Sequence, residues 1–96
     1  MLTPDDIRIK QIEYPELGTT EWQVQLRKYA TVRTGIFKTT KIPTEEFVDY
    51  MEYDGYTGIT ENKGRCLHLD SARKVKMHLL EPYYRQPEFT KEKIVE

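Results

Sequence analysis

Few residues in this chain are of types that do chemistry. Cys66, His68 and His78 are its only thiol and imidazole groups, and Ser71 is its only serine. A zinc-type centre needs four such ligands, or three and a water, converging on one point. If 65–69 and 74–80 are strands joined by a tight turn, Cys66 and His68 share a face with Val75 and Met77 while His78 points the other way. That register excludes a common ligand set, so neither a metal nor a cofactor is expected. Cys66 sits between Arg65 and His68, cationic company that would activate an exposed thiol, but the same register turns it inward. Ser71 has no histidine beside it. The phosphate-cradling patterns GxGxxG and GxxxxGK[ST] are absent. A chain of 96 residues also leaves little room for the concave apolar pocket that catalysis uses. The expectation is a protein that is not an enzyme.

Charge is the stronger signal. The formal net charge is only −1, yet it is laid down in blocks. Residues 22–44 carry Arg27, Lys28, Arg33, Lys38 and Lys41 without an acid, and residues 45–61 carry Glu45, Glu46, Asp49, Glu52, Asp54 and Glu61 without a base. Blocks of one sign create local potentials that steer partners although the whole molecule is almost neutral. The competing explanation is that the opposed blocks neutralise each other across the fold.

The elements that must carry these charges follow from periodicity. Residues 7–14 and 21–29 alternate as strands, the second with Trp22, Val24 and Leu26 on one face, and a hairpin turns near Gly35. Pro43-Thr44 followed by Glu45-Glu46, with Gly55 beyond, predicts a capped helix over 44–53. On that helix Phe47, Val48, Tyr50 and Met51 form the buried stripe, and Glu45, Glu46, Asp49, Glu52 and Tyr53 fall outside it. Residues 56–60 and 65–69 read as a second hairpin. Residues 74–80 read as a strand, with a helix as the alternative: Asp70 would cap it and Pro82 would stop it, but Met77 falls off its apolar stripe. The chain is rich in Thr, Ile, Val and Tyr and holds only two Ala, which favours sheet over a helical bundle. The fold class is α+β: a small, mostly antiparallel sheet or OB-like partly closed barrel, in the order β-β-β-α-β-β, packed against one short helix. One domain is expected over residues 1–85, with a flexible tail over 86–96.

Two binding readings remain. In the first, the protein is an adaptor or inhibitor that engages a basic site on a protein partner through the acidic-aromatic helix Glu45, Glu46, Asp49, Glu52 and Tyr53. A carboxylate strip of that kind could mimic nucleic acid, as an inhibitor from a mobile element would. In the second, Tyr56, Arg65, Lys74 and Lys76 form a basic and aromatic sheet face for single-stranded nucleic acid, to which Arg27, Lys28 and Tyr29 could add. Self-association into a homodimer is compatible with both. No membrane span or signal peptide is expected, and the single cysteine fits a reducing, cytoplasmic setting.

Overall fold

Strand β2 (Thr19–Arg33) is the spine of the protein. The computed structural model describes residues 1–89, 91 and 93–96. After a 3₁₀ turn at Pro4–Asp6, strand β1 (Ile7–Tyr14) pairs antiparallel with the first half of β2, from Ile7 opposite Leu26 to Tyr14 opposite Thr19. On the other edge of β2, strand β3 (Thr39–Asp49) runs from Thr39 opposite Arg33 to Asp49 opposite Gln25. A short pair, β4 (Glu52–Tyr53) and β5 (Thr60–Glu61), stands apart as its own two-stranded sheet. The chain then returns as β6 (Arg65–Cys66) to pair with Trp22 and Gln23 on the edge that β3 has left. Helix α1 (Leu69–Tyr84) follows.

Val24 is where the excursion 50–64 closes. Its N–H donates to the Gly64 carbonyl and its carbonyl accepts from the Tyr50 N–H, both at 2.9 Å. Its side chain, fully buried, belongs to a small core with Ile7, Ala72 and Leu80. Around these pack Ile9, Trp22, Leu26, Val75, Leu79 and Tyr83. The spacing Ala72, Val75, Leu79, Leu80, Tyr83 is one helical face, so α1 covers the side of the sheet that carries the alternate residues Trp22, Val24 and Leu26. The opposite side is polar even where it is buried. Gln23 and Asn62 exchange amide hydrogen bonds of 2.9 and 2.7 Å. Gln25 donates to Asp49 at 2.8 Å and accepts from Arg8 at 2.7 Å. Every buried side-chain nitrogen and oxygen among the described residues has a partner.

The α+β class with a small antiparallel sheet on one helix is what is found, but the helix lies elsewhere. Residues 44–53 are extended as the end of β3 and β4, and 69–84 are helical. Among the described residues the order is six strands and then the helix, and 74–80 is not a strand. Two local signals were misleading. Thr44 does accept from the Glu46 N–H (3.2 Å), as a cap would, but it does so inside a β-bulge. Met77 is simply exposed on the solvent side of α1. The hairpin expected between 56–60 and 65–69 is replaced by β4 with β5, while β6 joins β2. The outer edges of β1 and β3 pair with no other strand among the described residues, so the sheet stays open and the barrel alternative is excluded. Pro87–Phe89 form a 3₁₀ turn within the expected tail; the part of that expectation falling on Thr90 and Glu92 lies outside the described residues.

Gly64 gives the fold a test. A Cβ there would stand 3.0 Å from the Val24 carbonyl oxygen, 3.1 Å from Val24 Cβ and 2.9 Å from Gln23 Nε2. Those neighbours are buried and hydrogen-bonded, so they have little freedom to move aside. Gly64→Ala is expected to destabilise the protein by about 1–3 kcal/mol, read as a lower midpoint in urea with an unchanged m-value.

Candidate binding arm

The second half of β2 outlasts its sheet. β1 ends its pairing at Leu26, so beyond that point β2 and β3 continue alone as a two-stranded ribbon. Residues 28–43 are all exposed. At ~3.3 Å per residue, the six residues 28–33 carry the ribbon about 20 Å from the body. The radius of gyration is 17.6 Å and the extents are 52 × 51 × 32 Å, against ~13 Å for a compact chain of this length.

The ribbon is held at its root by a knot of polar contacts. At the bulge, Lys28 alone on β2 faces Thr44, Glu45 and Glu46, between the pairs Arg27–Phe47 and Tyr29–Pro43. The Thr44 hydroxyl donates to the Lys28 carbonyl at 2.6 Å. Arg27 donates to the Thr44 carbonyl at 2.7 Å and to the Asp5 carbonyl at 2.8 Å, and its Nε lies 3.6 Å from Asp6. The Phe47 ring takes Arg8 at 4.2 Å and Arg27 at 4.7 Å from its centroid, a cation–π arrangement. Buried Asp6 also accepts from the Tyr29 hydroxyl and from the Thr3 amide and hydroxyl. Burial pushes the Asp6 carboxyl up, but the Tyr29 hydroxyl, the Thr3 donors and Arg27 outweigh it and leave its pKa below the ordinary 3.8. The same bond to Asp6 raises the Tyr29 phenol.

Beyond the root, the ribbon has two different faces. Cross-strand partners share a face, so Tyr29, Thr31 and Arg33 lie with Pro43, Lys41 and Thr39, while Ala30 and Val32 lie with Ile42 and Thr40. The tip is a shaped loop. Thr34 N–H donates to the Lys38 carbonyl at 3.0 Å, Arg33 reaches the Ile36 carbonyl at 3.2 Å, and the Thr34 and Thr40 hydroxyls meet at 3.3 Å. Ile36 and Phe37 project from it, 78% and 97% exposed. Lys28, Arg33, Lys38 and Lys41 are the ribbon's only ionisable residues besides Tyr29. Among the described residues only Lys28 of these four cations has an ion pair, 3.8 Å from Glu46 with both groups exposed, a contact worth little.

The residues expected at a site from the sequence are scattered. Glu45 and Glu46 sit in the bulge, Asp49 ends β3 and is bonded to Gln25, and Glu52 and Tyr53 are in β4. They form no helical strip. Glu52, Tyr53 and Asp54 instead line a cleft of about 290 Å³ with Glu61 and Lys63, where Lys63 and Glu61 pair at 2.6 Å. Tyr56, Arg65, Lys74 and Lys76 do not share a sheet face either. Tyr56 is in the β4–β5 turn, Arg65 on β6 is bound to Glu21 at 3.1 Å, and both lysines are on α1. Cys66 is half-buried beside the core with its thiol pushed up by burial, and His68 precedes α1. His78, on the exposed side of α1, lies 4.0 Å from Glu81. No cluster of three or more His, Cys, Asp or Glu among the described residues is placed to hold a metal. No helix among them is long and apolar enough to cross a membrane.

The sequence reading missed the ribbon's tip. Its signal was present: two large apolar residues beside Gly35, at the turn of a hairpin, within a stretch that has bases and no acids. Family models, curated proteins and solved structures yield no match to this chain, so its functional reading rests on the arm's own geometry and charge.

Asp6 links the root to pH. A carboxyl whose native pKa is depressed adds stability that is complete above its unfolded pKa and is lost as pH falls through the native value. Asp6→Asn is therefore expected to be less stable than the native chain at pH 7, by about 1–3 kcal/mol. The gap between the two should hold at neutral pH, start to narrow below about 4 and close as pH falls through the lower native value, as followed by thermal unfolding across a pH series.

Proposed function

We propose that this protein is a non-catalytic binding module that engages nucleic acid through the β2–β3 arm. The observation that carries the reading is the arm itself: an exposed ribbon with four cations, no acid and an apolar tip. Cations on an exposed support suit a phosphate backbone, and exposed rings and alkyl groups suit base faces and edges. The acidic stretch that starts at the root supports it further. Charge changes sign at Glu45, so a polyanion is drawn to the arm and repelled by the excursion, which orients the approach. The basic sheet face expected from the sequence thus gives way to a basic ribbon, with Lys28 and Tyr29 common to both.

A second reading keeps the protein partner. Residues 45–61 retain their acids, and Tyr53 and Tyr56 are exposed among them, a surface suited to a basic site on another protein or on a second copy of this chain. The inhibitor role would act here, now from an extended excursion. A reducing cytoplasmic setting is consistent with one half-buried free thiol.

Fluorescence polarisation with a labelled duplex at 50 and 200 mM salt separates these readings. Four phosphate contacts imply a slope of log affinity on log salt of about −3.6, a loss on the order of a hundredfold over that range. The triple variant Arg33→Glu, Lys38→Glu, Lys41→Glu should abolish binding while circular dichroism is unchanged. Absence of binding by the native chain at 50 mM salt, to the duplex and to its separated strand alike, would exclude the nucleic-acid reading and favour the acidic excursion as the contact.

A further inference from the structure

We infer that Ile36 and Phe37 act as a wedge that enters double-stranded DNA between base pairs and bends it, an inference that rests on the arm's binding nucleic acid. Three features favour a duplex over a single strand. First, the apolar groups are paired at the very end of the ribbon rather than spread along a groove. Single strands are held by a succession of stacking rings beside a basic track, whereas Tyr29, the arm's other ring, is bonded to Asp6 at the root.

Second, the tip is pre-shaped. The contacts of Thr34 with Lys38 and Thr40, and of Arg33 with Ile36, fix the loop while leaving both apolar side chains pointing outward. A wedge must oppose the cost of unstacking, a few kcal/mol per step. A loop already ordered loses little further entropy on insertion.

Third, the cations stand on both sides of the tip. Lys28 and Arg33 are on β2, with Lys38 and Lys41 on the β3 side. A duplex offers phosphates on two strands, one along each rim of the groove that the tip enters. A single strand offers one row and would leave one rail of the ribbon without a counter-charge.

The test uses a 30-base-pair duplex with a donor and an acceptor dye at its two ends, and its separated strand as a second probe. The full-length native chain should bind the duplex more tightly than the strand. Energy transfer should rise on binding, since an inserted wedge kinks a duplex by about 20–90°. The double variant Ile36→Ala, Phe37→Ala, altered only at exposed tip positions, should bind more weakly with an unchanged salt slope and without the rise in transfer. Native binding with no rise, a rise retained by the double variant, or tighter binding of the separated strand would each overturn the wedge while leaving the arm as a nucleic-acid contact. No binding to either probe at low salt would overturn both.

Discussion

The rest of the molecule depends on the mismatch between one long strand and its shorter neighbours. β2 has 15 residues and β1 has eight. From Trp22 to Leu26 β2 has a partner on each edge, helix α1 on one face and buried amides on the other. From Lys28 onward it has β3 alone. A two-stranded ribbon by itself is marginally stable in water, so the arm depends on being anchored at one end. The anchor is the Arg27 guanidinium, which bonds to the carbonyls of Asp5 and Thr44, lies beside Asp6 and faces the Phe47 ring. One planar cation thus ties the N-terminal turn, the spine and the bulge together, which a flexible ammonium would not do with the same geometry.

The core is small because the chain spends its length elsewhere. Ile7, Val24, Ala72 and Leu80 are its fully buried apolar residues, while Ile36, Phe37, Tyr53 and Tyr56 remain exposed on the arm and the excursion. Scattered exposed apolar residues are ordinary on any surface. Others, such as Leu17, Leu67 and Met77, are exposed on the body; what sets the arm apart is that Ile36 and Phe37 stand together at its end within a stretch that has bases and no acids.

How legible this was depends on how local the determining forces are. β1 could be read over 7–14, and β2 around Trp22, Val24 and Leu26, because period-2 alternation records burial against α1 directly. The Gly35 turn was also visible. The helix was misplaced because 44–53 bears the marks of a cap at Thr44 and a terminator at Gly55, whereas its strand state is imposed by pairing with Gln25, Leu26 and Arg27, 20 to 24 positions away. Its β-branched and aromatic residues agreed with that pairing, but propensity yields to long-range contacts that a single sequence does not display. At 74–80 the preference for a strand came from Met77, on the premise that an apolar residue must be buried. Once Met77 is allowed to face solvent, Ala72, Val75, Leu79, Leu80 and Tyr83 form a helical stripe. With 69–84 helical, Cys66 and His78 do not lie on paired strands, and Arg65, Lys74 and Lys76 do not share a sheet face.

The bulge at Thr44 stands where the basic arm and the acidic stretch meet. Continuing the register of the Arg27–Phe47 pair without a bulge would set Lys28 opposite Glu46, Tyr29 opposite Glu45 and Arg33 opposite Lys41, so the order of the residues along the chain already keeps most of the acids away from the bases. Here Thr44, Glu45 and Glu46 are gathered opposite Lys28 alone. Glu46 is spent on a weak contact with Lys28, and the rungs beyond pair Thr31 with Lys41 and Arg33 with Thr39, with no carboxylate among them. Bulges re-aim side chains and bend the strand that carries them. In this protein the bulge also marks the boundary in charge: acids lie from it toward the body, and bases lie from it toward the tip. A potential divided in this way gives an anionic partner one favoured direction of approach, along the arm, despite a net charge of −1.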